Sequence, residues 1–210
     1  MARGGAGDEA VRIDPGYGPF AAARDGSGEA QAALAALVGA GEQVWLVEPE
    51  EWPAPPGMRM VRTAPLLQMV AQRPEAVRND DEPAAQLGDH DAAAMAELAL
   101  ATEPGPWGEL TRRYGQFYGI RREDRLAAMA GPRMQPGGML QELSGVCTWP
   151  EFRGQGLAGT LIRRVMADIV AAGNTPFLHS YAGNAKAIGL YETLGFRARR
   201  NMVVTVLERG

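Results

Sequence analysis

The stretch Arg153-Gly154-Gln155-Gly156-Leu157-Ala158-Gly159-Thr160 decides how this chain is read. It follows a run that reads as a strand, Met139 to Trp149. It opens the clearest amphipathic helix of the sequence, Leu157 to Ala172, where Leu157, Leu161, Ile162, Val165, Ile169 and Val170 recur at helical spacing. Glycines let the backbone turn tightly and let a ligand approach its N–H groups. The first N–H groups of a helix have no intrahelical partner, and with the helix dipole they form an anion site suited to phosphate. Arg153, Arg163 and Arg164 add positive charge nearby. No Gly-Lys-Ser/Thr follows, so the turn is not a Walker loop. The strand before it follows antiparallel strands, which argues against the dinucleotide fingerprint. A tight strand-to-helix connection with no ligand is the plain alternative.

Downstream, Gly173-Asn174 ends the helix, Pro176 to Tyr181 reads as a strand, Ala185 to Leu194 as a helix and Phe196 to Leu207 as a final strand region. Upstream, Gln116 to Arg121 and Arg125 to Gly131 read as an antiparallel pair joined at Arg122-Glu123-Asp124. Asp89 is a candidate N-cap for a helix from His90 to Ala101 with Met95, Leu98 and Ala99 on one face. Thr102 to Gly108 is a loop, and a second helical stretch runs through Arg112 and Tyr114. Earlier still come a short helix at Ala30 to Val38, a strand at Gln43 to Val47, a proline-rich connection, a strand at Met58 to Thr63 and a separate apolar segment at Ala64 to Gln72. The acidic, turn-rich Pro74 to Pro83 marks a soft boundary. The expected division is a mobile 1–10, a small α/β extension over 11–84 and a main domain over 85–210.

Composition narrows the classes. Twenty-one Lys and Arg face 25 Asp and Glu, a net charge of −4, which disfavours a nucleic-acid binder. The charge is divided: residues 151–210 carry 8 basic and 4 acidic side chains, the rest 13 and 21. That places an anionic ligand towards the C-terminal end. Cys147 is the only cysteine, and His90 and His179 are the only histidines, so neither a disulfide nor a Cys- or His-built metal site is expected. No apolar run reaches the roughly 18–20 residues needed to cross a bilayer. The first residues lack the apolar core of a signal peptide. A soluble cytoplasmic protein is the expectation.

Two motifs together resemble a known family. Arg153-x-x-Gly156-x-Ala158 is similar to the Arg/Gln-x-x-Gly-x-Gly/Ala signature of GNAT acyltransferases, and Asn184 followed seven residues later by Tyr191 is a second hallmark. The order of elements from about Leu87 to Leu207 is similar too. Segments such as Glu142 to Thr148 and Phe177-Leu178-His179 look like a bacterial branch of that family. The resemblance implies an α/β (α+β) fold: a mixed, mostly antiparallel central sheet splayed at the cofactor site and flanked by helices. It also implies a function, acetyl transfer from acetyl-CoA to a primary amine in a ternary complex, without metal.

By position, the resemblance implies that Arg153 and the backbone of Gly154, Gln155, Gly156, Leu157, Ala158 and Gly159 hold the CoA pyrophosphate, with Thr160 next on the helix. Val146, Cys147 and Thr148 would lie along the pantetheine arm, where a bulge frees backbone groups and one N–H polarises the thioester carbonyl. Backbone groups, not the Cys147 thiol, are expected to act. Asn184 caps its helix and touches the CoA arm, and Lys186 reaches a phosphate or is simply solvated. Tyr191 matches the position that donates a proton to the departing sulfur; the alternative is a core aromatic. His179 is the first candidate base, since imidazole titrates near neutrality. Glu142 competes, acting through water, and an amine of low basicity needs no base. Trp107, Trp149 and Pro150 either wall the acceptor site or close the core. Residues 11–84 shape the acceptor site or a homodimer contact. A non-catalytic acyl-CoA sensor with the same fold is the rival reading.

Overall fold

In the computed structural model, residues 2–4 and 9–210 are described, with side chains from residue 9 onward. The elements are β1 (Ala2–Gly4), β2 (Ala10–Ile13), β3 (Ala21–Ala23), α1 (Gly28–Ala36), β4 (Gln43–Glu48), β5 (Met58–Ala71), β6 (Ala85–Leu87), α2 (Ala92–Thr102), β7 (Phe117–Arg122), β8 (Arg125–Pro132), β9 (Leu140–Thr148), α3 (Leu157–Ala171), β10 (Thr175–Tyr181), α4 (Ala185–Thr193) and β11 (Phe196–Arg209). This is the expected mixed α/β fold, with a mostly antiparallel sheet flanked by helices.

The residues form two compact units that do not follow a division of the sequence at residue 84. One comprises residues 1–67, 181–183 and 200–210; the other comprises 68–180 and 184–199. Strands β5 and β11 supply residues to both. In the first unit, β1, β2 and β3 form an antiparallel sheet, β4 pairs antiparallel with β11, and β5 is the other neighbour of β11. Ala10, Leu34, Val38, Val44, Leu46 and Leu207 form its buried cluster. The expected mobile first ten residues fall partly outside the described residues (1 and 5–8); Ala2–Gly4 pair with Val11–Ile13.

In the second unit the strand order is β11-β5-β10-β9-β8-β7-β6. A two-residue turn joins β7 to β8, with Glu123 and Asp124 both at positive φ, 48° and 64°. That left-handed pair matches the twist of a hairpin. On α2, Met95, Leu98 and Ala99 are the buried face and pack with Leu87, Phe117, Leu126, Met129 and Cys147. Of the apolar stripe of α3, Leu157, Leu161, Ile162, Val165 and Ile169 are buried as their spacing predicts, whereas Val170 is exposed. This helix ends in a Schellman motif: Asn174 N–H donates to Ile169 O at 3.0 Å and Gly173 N–H to Val170 O at 2.9 Å, with Gly173 at φ +79°.

Three local expectations are corrected. Met58–Ala71 is one 14-residue strand, not a strand and a separate segment. Pro65 lies within it, and its carbonyl accepts from Ala182 N–H at 3.0 Å. The helix through Arg112 and Tyr114 is a single 3-10 turn, Thr111–Tyr114. Asp89 opens another 3-10 turn, Asp89–Asp91, and the Asp91 carboxylate, not Asp89, accepts from a backbone N–H, that of Gly88 at 2.8 Å.

Candidate active site

Two departures from regular sheet geometry frame the site. Between β8 and β9, Met129 pairs with Cys147 but Gly131 pairs with Ser144, so β9 carries an extra residue. Gly145, at φ +59°, sits in this bulge. Its closeness to Phe117, which a Cβ would meet at 2.9 Å, and its left-handed backbone both call for glycine. Between β9 and β10, the parallel register holds for only three residues, from Thr175↔Leu140 to Phe177↔Glu142. Beyond that pair the two strands carry no further register, so the reach Val146, Cys147 and Thr148 is open on the β10 side only, Cys147 and Thr148 still pairing with Met129 and Ala128 of β8.

The glycine turn stands at the far end of that reach. Gly154 and Gly156 have φ of +80° and +81°, and a Cβ on either would meet open space. Their conformation, not crowding, requires glycine. Arg153 donates from Nε to Thr148 O at 3.2 Å, tying the turn to the end of β9. Gly156 precedes α3 without a side-chain cap, and the first closed helical bond is Thr160 N–H to Gly156 O at 3.2 Å. The N–H groups of Leu157, Ala158 and Gly159 therefore belong to the helix end that has no intrahelical acceptor.

Around the vertex of the splay, side chains form a continuous polar chain. Glu142 is fully buried. Arg133, just past β8, meets it with a two-pronged contact, Nε to Oε2 and Nη2 to Oε1, both 2.9 Å. His179 Nδ1 lies 2.9 Å from Glu142 Oε1. Its Nε2 lies 3.0 Å from the amide nitrogen of Gln68 on β5, whose Oε1 accepts from Arg199 on β11 at 2.5 Å. Burial pushes the Glu142 carboxyl up, but the charge of Arg133 and the bonds from His179 and Arg133 outweigh it, holding the group down at about 2. Glu142 is thus ionised at neutral pH and bonded on both sides, to Arg133 and to His179.

Tyr191 on α4 is half-buried, with its ring edge-on to Phe196 at 5.9 Å. Burial, reinforced by the nearby Cys147, pushes its phenol up to about 12. Burial likewise pushes the Cys147 thiol up to about 12. This thiol sits in the cluster under α2 and stays protonated at neutral pH, so it lacks the thiolate that a nucleophile needs.

The FR47-like protein family profile matches residues 117–204. A crystal structure of a GNAT acetyltransferase from Novosphingobium aromaticivorans is 55% identical, covers 98% of this chain and 90% of its own, and superposes with a TM-score of 0.89. The chain belongs to the GNAT family. A GCN5-related N-acetyltransferase from Kribbella flavida shares the fold at 18% identity, covering 100% of this chain and 90% of its own with a TM-score of 0.64. No curated protein matches the sequence.

Within this GNAT fold, the residues named from sequence fall into groups. Glu142 and His179 are brought into direct contact. Asn184 accepts from Ala187 N–H at 3.2 Å and so caps α4, while Lys186 is exposed. Thr160 and Arg163 turn elsewhere: Thr160 Oγ1 donates to Asp81 at 2.9 Å and Arg163 Nε donates to its other oxygen at 2.8 Å. Hydrogen bonding from Arg163 holds Asp81 well below the usual carboxylate range. Arg164 pairs with Asp168 at 2.8 Å. Arg163 and Arg164 are therefore neutralised locally. A cleft of about 300 Å³ lies beside Thr160 and Arg164, but Asp81 and Glu82 line it as well, an unfavourable surround for phosphate. Trp107 packs edge-on to Phe117 at 5.6 Å and Trp149 lies under the Arg125 guanidinium at 4.0 Å, both against the α2 cluster. Among the described residues no group of three His, Cys, Asp or Glu is placed to hold a metal ion, and no helix is long and apolar enough to cross a membrane.

Sequence reasoning missed Arg133, Gln68, Arg199 and Asp81. A usable signal was present for one of them: Gln68 interrupts the apolar run Leu66-Leu67-Gln68-Met69-Val70. A polar residue in such a run must find a partner when buried.

Proposed function

We propose that the protein transfers an acetyl group from acetyl-CoA to a primary amine by direct attack within a ternary complex. The observation that carries this reading is the parallel register of β9 and β10 ending at Phe177↔Glu142, with a Glu142–His179 pair at the vertex and the glycine turn beyond the open reach. A thioester arm needs an open strand edge to bond with, and a phosphate-bearing cofactor needs N–H donors at the arm's far end.

In this reading the backbone from Gly154 to Gly159 binds the pyrophosphate, with Arg153 bracing the turn. Val146, Cys147 and Thr148 lie along the pantetheine, with backbone groups on the open side of the strand bonding it while Cys147 stays paired with Met129, and an N–H at the bulge polarises the thioester carbonyl. Asn184 places α4 against the arm, and the exposed Lys186 reaches an outer phosphate. The amine nitrogen attacks the carbonyl carbon and the C–S bond breaks. His179 Nε2 takes the proton lost by nitrogen, and the Tyr191 phenol gives its proton to sulfur. Solvent then removes the proton from His179 and restores the one on Tyr191, leaving amide and free CoA thiol. A phenol raised to about 12 stays protonated at neutral pH, so the proton donor is in place when the sulfur departs. Residues 11–84 shape the acceptor end or a homodimer contact.

Free-thiol release from acetyl-CoA across small amines, amino acids and N-terminal peptides tests this function. At least one acceptor should release CoA thiol in step with amide formation. Tight acetyl-CoA binding with no release for any acceptor would instead identify a sensor that keeps the fold.

A further inference from the structure

The chain Arg199–Gln68–His179–Glu142–Arg133 draws its members in order from β11, β5, β10, β9 and the residue after β8. Its two ends are arginines, which only donate hydrogen bonds, and this fixes every bond between them. Arg199 donates to Gln68 Oε1, so the Gln68 amide turns its NH₂ towards His179. An NH₂ group cannot accept, so His179 Nε2 must be the acceptor and carries no proton. The ring proton then lies on Nδ1, where the Glu142 carboxylate, itself held by Arg133, accepts it.

We propose that Gln68, held by Arg199, is a positioning residue that keeps His179 neutral as the Nδ1–H tautomer and so keeps its Nε2 lone pair available for the acceptor's proton. The inference rests on the reading of His179 as base. The two neighbours pull in opposite directions. The Glu142 carboxylate favours a doubly protonated ring, and the Gln68 N–H opposes it, because a protonated Nε2 would face another donor. Flipping the amide gives no relief, since its NH₂ would then face Arg199. Other groups at the ring are the edge of Phe177 at 5.6 Å and, through Glu142, Arg133 with Tyr114 nearby. During turnover the acceptor N–H replaces the Gln68 N–H at Nε2 and passes its proton there.

The protein has only two histidines, so ring ¹⁵N spectra of histidine-labelled protein are assignable with a His90→Asn variant. At neutral pH His179 should show one protonated nitrogen, Nδ1. In Gln68→Glu a carboxylate accepts from both Arg199 and the ring, so at the same pH the ring should be doubly protonated. The acid limb of kcat/KM should then move to higher pH, with acetyl-CoA affinity unchanged. Gln68→Met, which removes the donor and adds no charge, should move both readouts the same way by less. A ring protonated at Nε2 in the wild type, or one left singly protonated in folded Gln68→Glu, overturns the proposal. Turnover of His179→Ala scores the base reading separately: full activity there sinks the base role, whatever the spectra show.

Discussion

The glycine turn and the polar chain across the sheet solve opposite problems. The turn, Arg153 to Ala158, presents backbone donors to open space, and its shape comes from two glycines at positive φ. The chain through Glu142 and His179 is built from side chains, is largely buried, and has each inner member bonded on both sides. A ligand site for a flexible, charged cofactor needs accessible donors and little side-chain commitment. A proton-handling site needs atoms whose protonation is fixed beforehand. With the roles proposed for them, binding and chemistry have separate physical supports and should fail separately.

The largest effect should come from breaking the buried end of the chain. Arg133→Met leaves Glu142 buried without its cation and should cost about 3–5 kcal/mol in denaturant unfolding. The pH dependence carries the same information. Glu142 is held down at about 2 from an ordinary 4.5, so its contribution to stability is complete above about 4.5 and is lost as pH falls through about 2. The wild type should lose stability across that window, and Arg133→Met should lose less. Acetyl-CoA binding at the turn should survive in whatever fraction of the variant stays folded.

Next in size is Tyr191→Phe. Removing the proton donor should lower kcat by about 100-fold or more while leaving the acetyl-CoA dissociation constant unchanged. A parallel loss of affinity would show that the phenol serves packing instead. Gly156→Val should do the reverse. A side chain at φ +81° is strained and protrudes where donors must be approached, so acetyl-CoA affinity should fall about tenfold or more, with about 1–2 kcal/mol lost in stability. The ¹⁵N spectrum of His179 should stay unaltered in that variant. The smallest effect is expected from Cys147→Ala, which should keep turnover within about twofold, because a buried thiol pushed up to about 12 takes no part.

These contrasts also explain what the sequence could disclose. The turn, the α3 stripe and the Asn184 cap are local: neighbouring residues dictate the backbone, so the pattern Arg153-x-x-Gly156-x-Ala158 and the helical spacing from Leu157 carry their own evidence. The order of elements from α2 onward was legible for the same reason, apart from the helix expected through Arg112 and Tyr114, whereas the short strand β6 went unread. Arg199, Gln68, His179, Glu142 and Arg133 meet only because five strands lie side by side, and no spacing along the chain encodes that order. His179 and Glu142 were visible as candidates but their contact was not. Arg163 and Arg164 looked like cofactor cations beside the turn, yet Asp81 and Asp168 engage them. Charge counted along a sequence cannot show which charges are already paired. The long strand Met58–Ala71 was read as two pieces because its exposed first half and its buried, apolar second half differ in pattern, and only the sheet shows them to be continuous.

The central claim is that cofactor binding rests on backbone groups in two separated segments, the open reach of β9 and the start of α3. Amide hydrogen exchange with and without acetyl-CoA tests it most directly. The account predicts new protection concentrated at Val146 to Thr148 and at Gly154 to Gly159. Acetyl-CoA binding that leaves both segments unprotected, or that protects the cleft beside Thr160 and Arg164 instead, would contradict it.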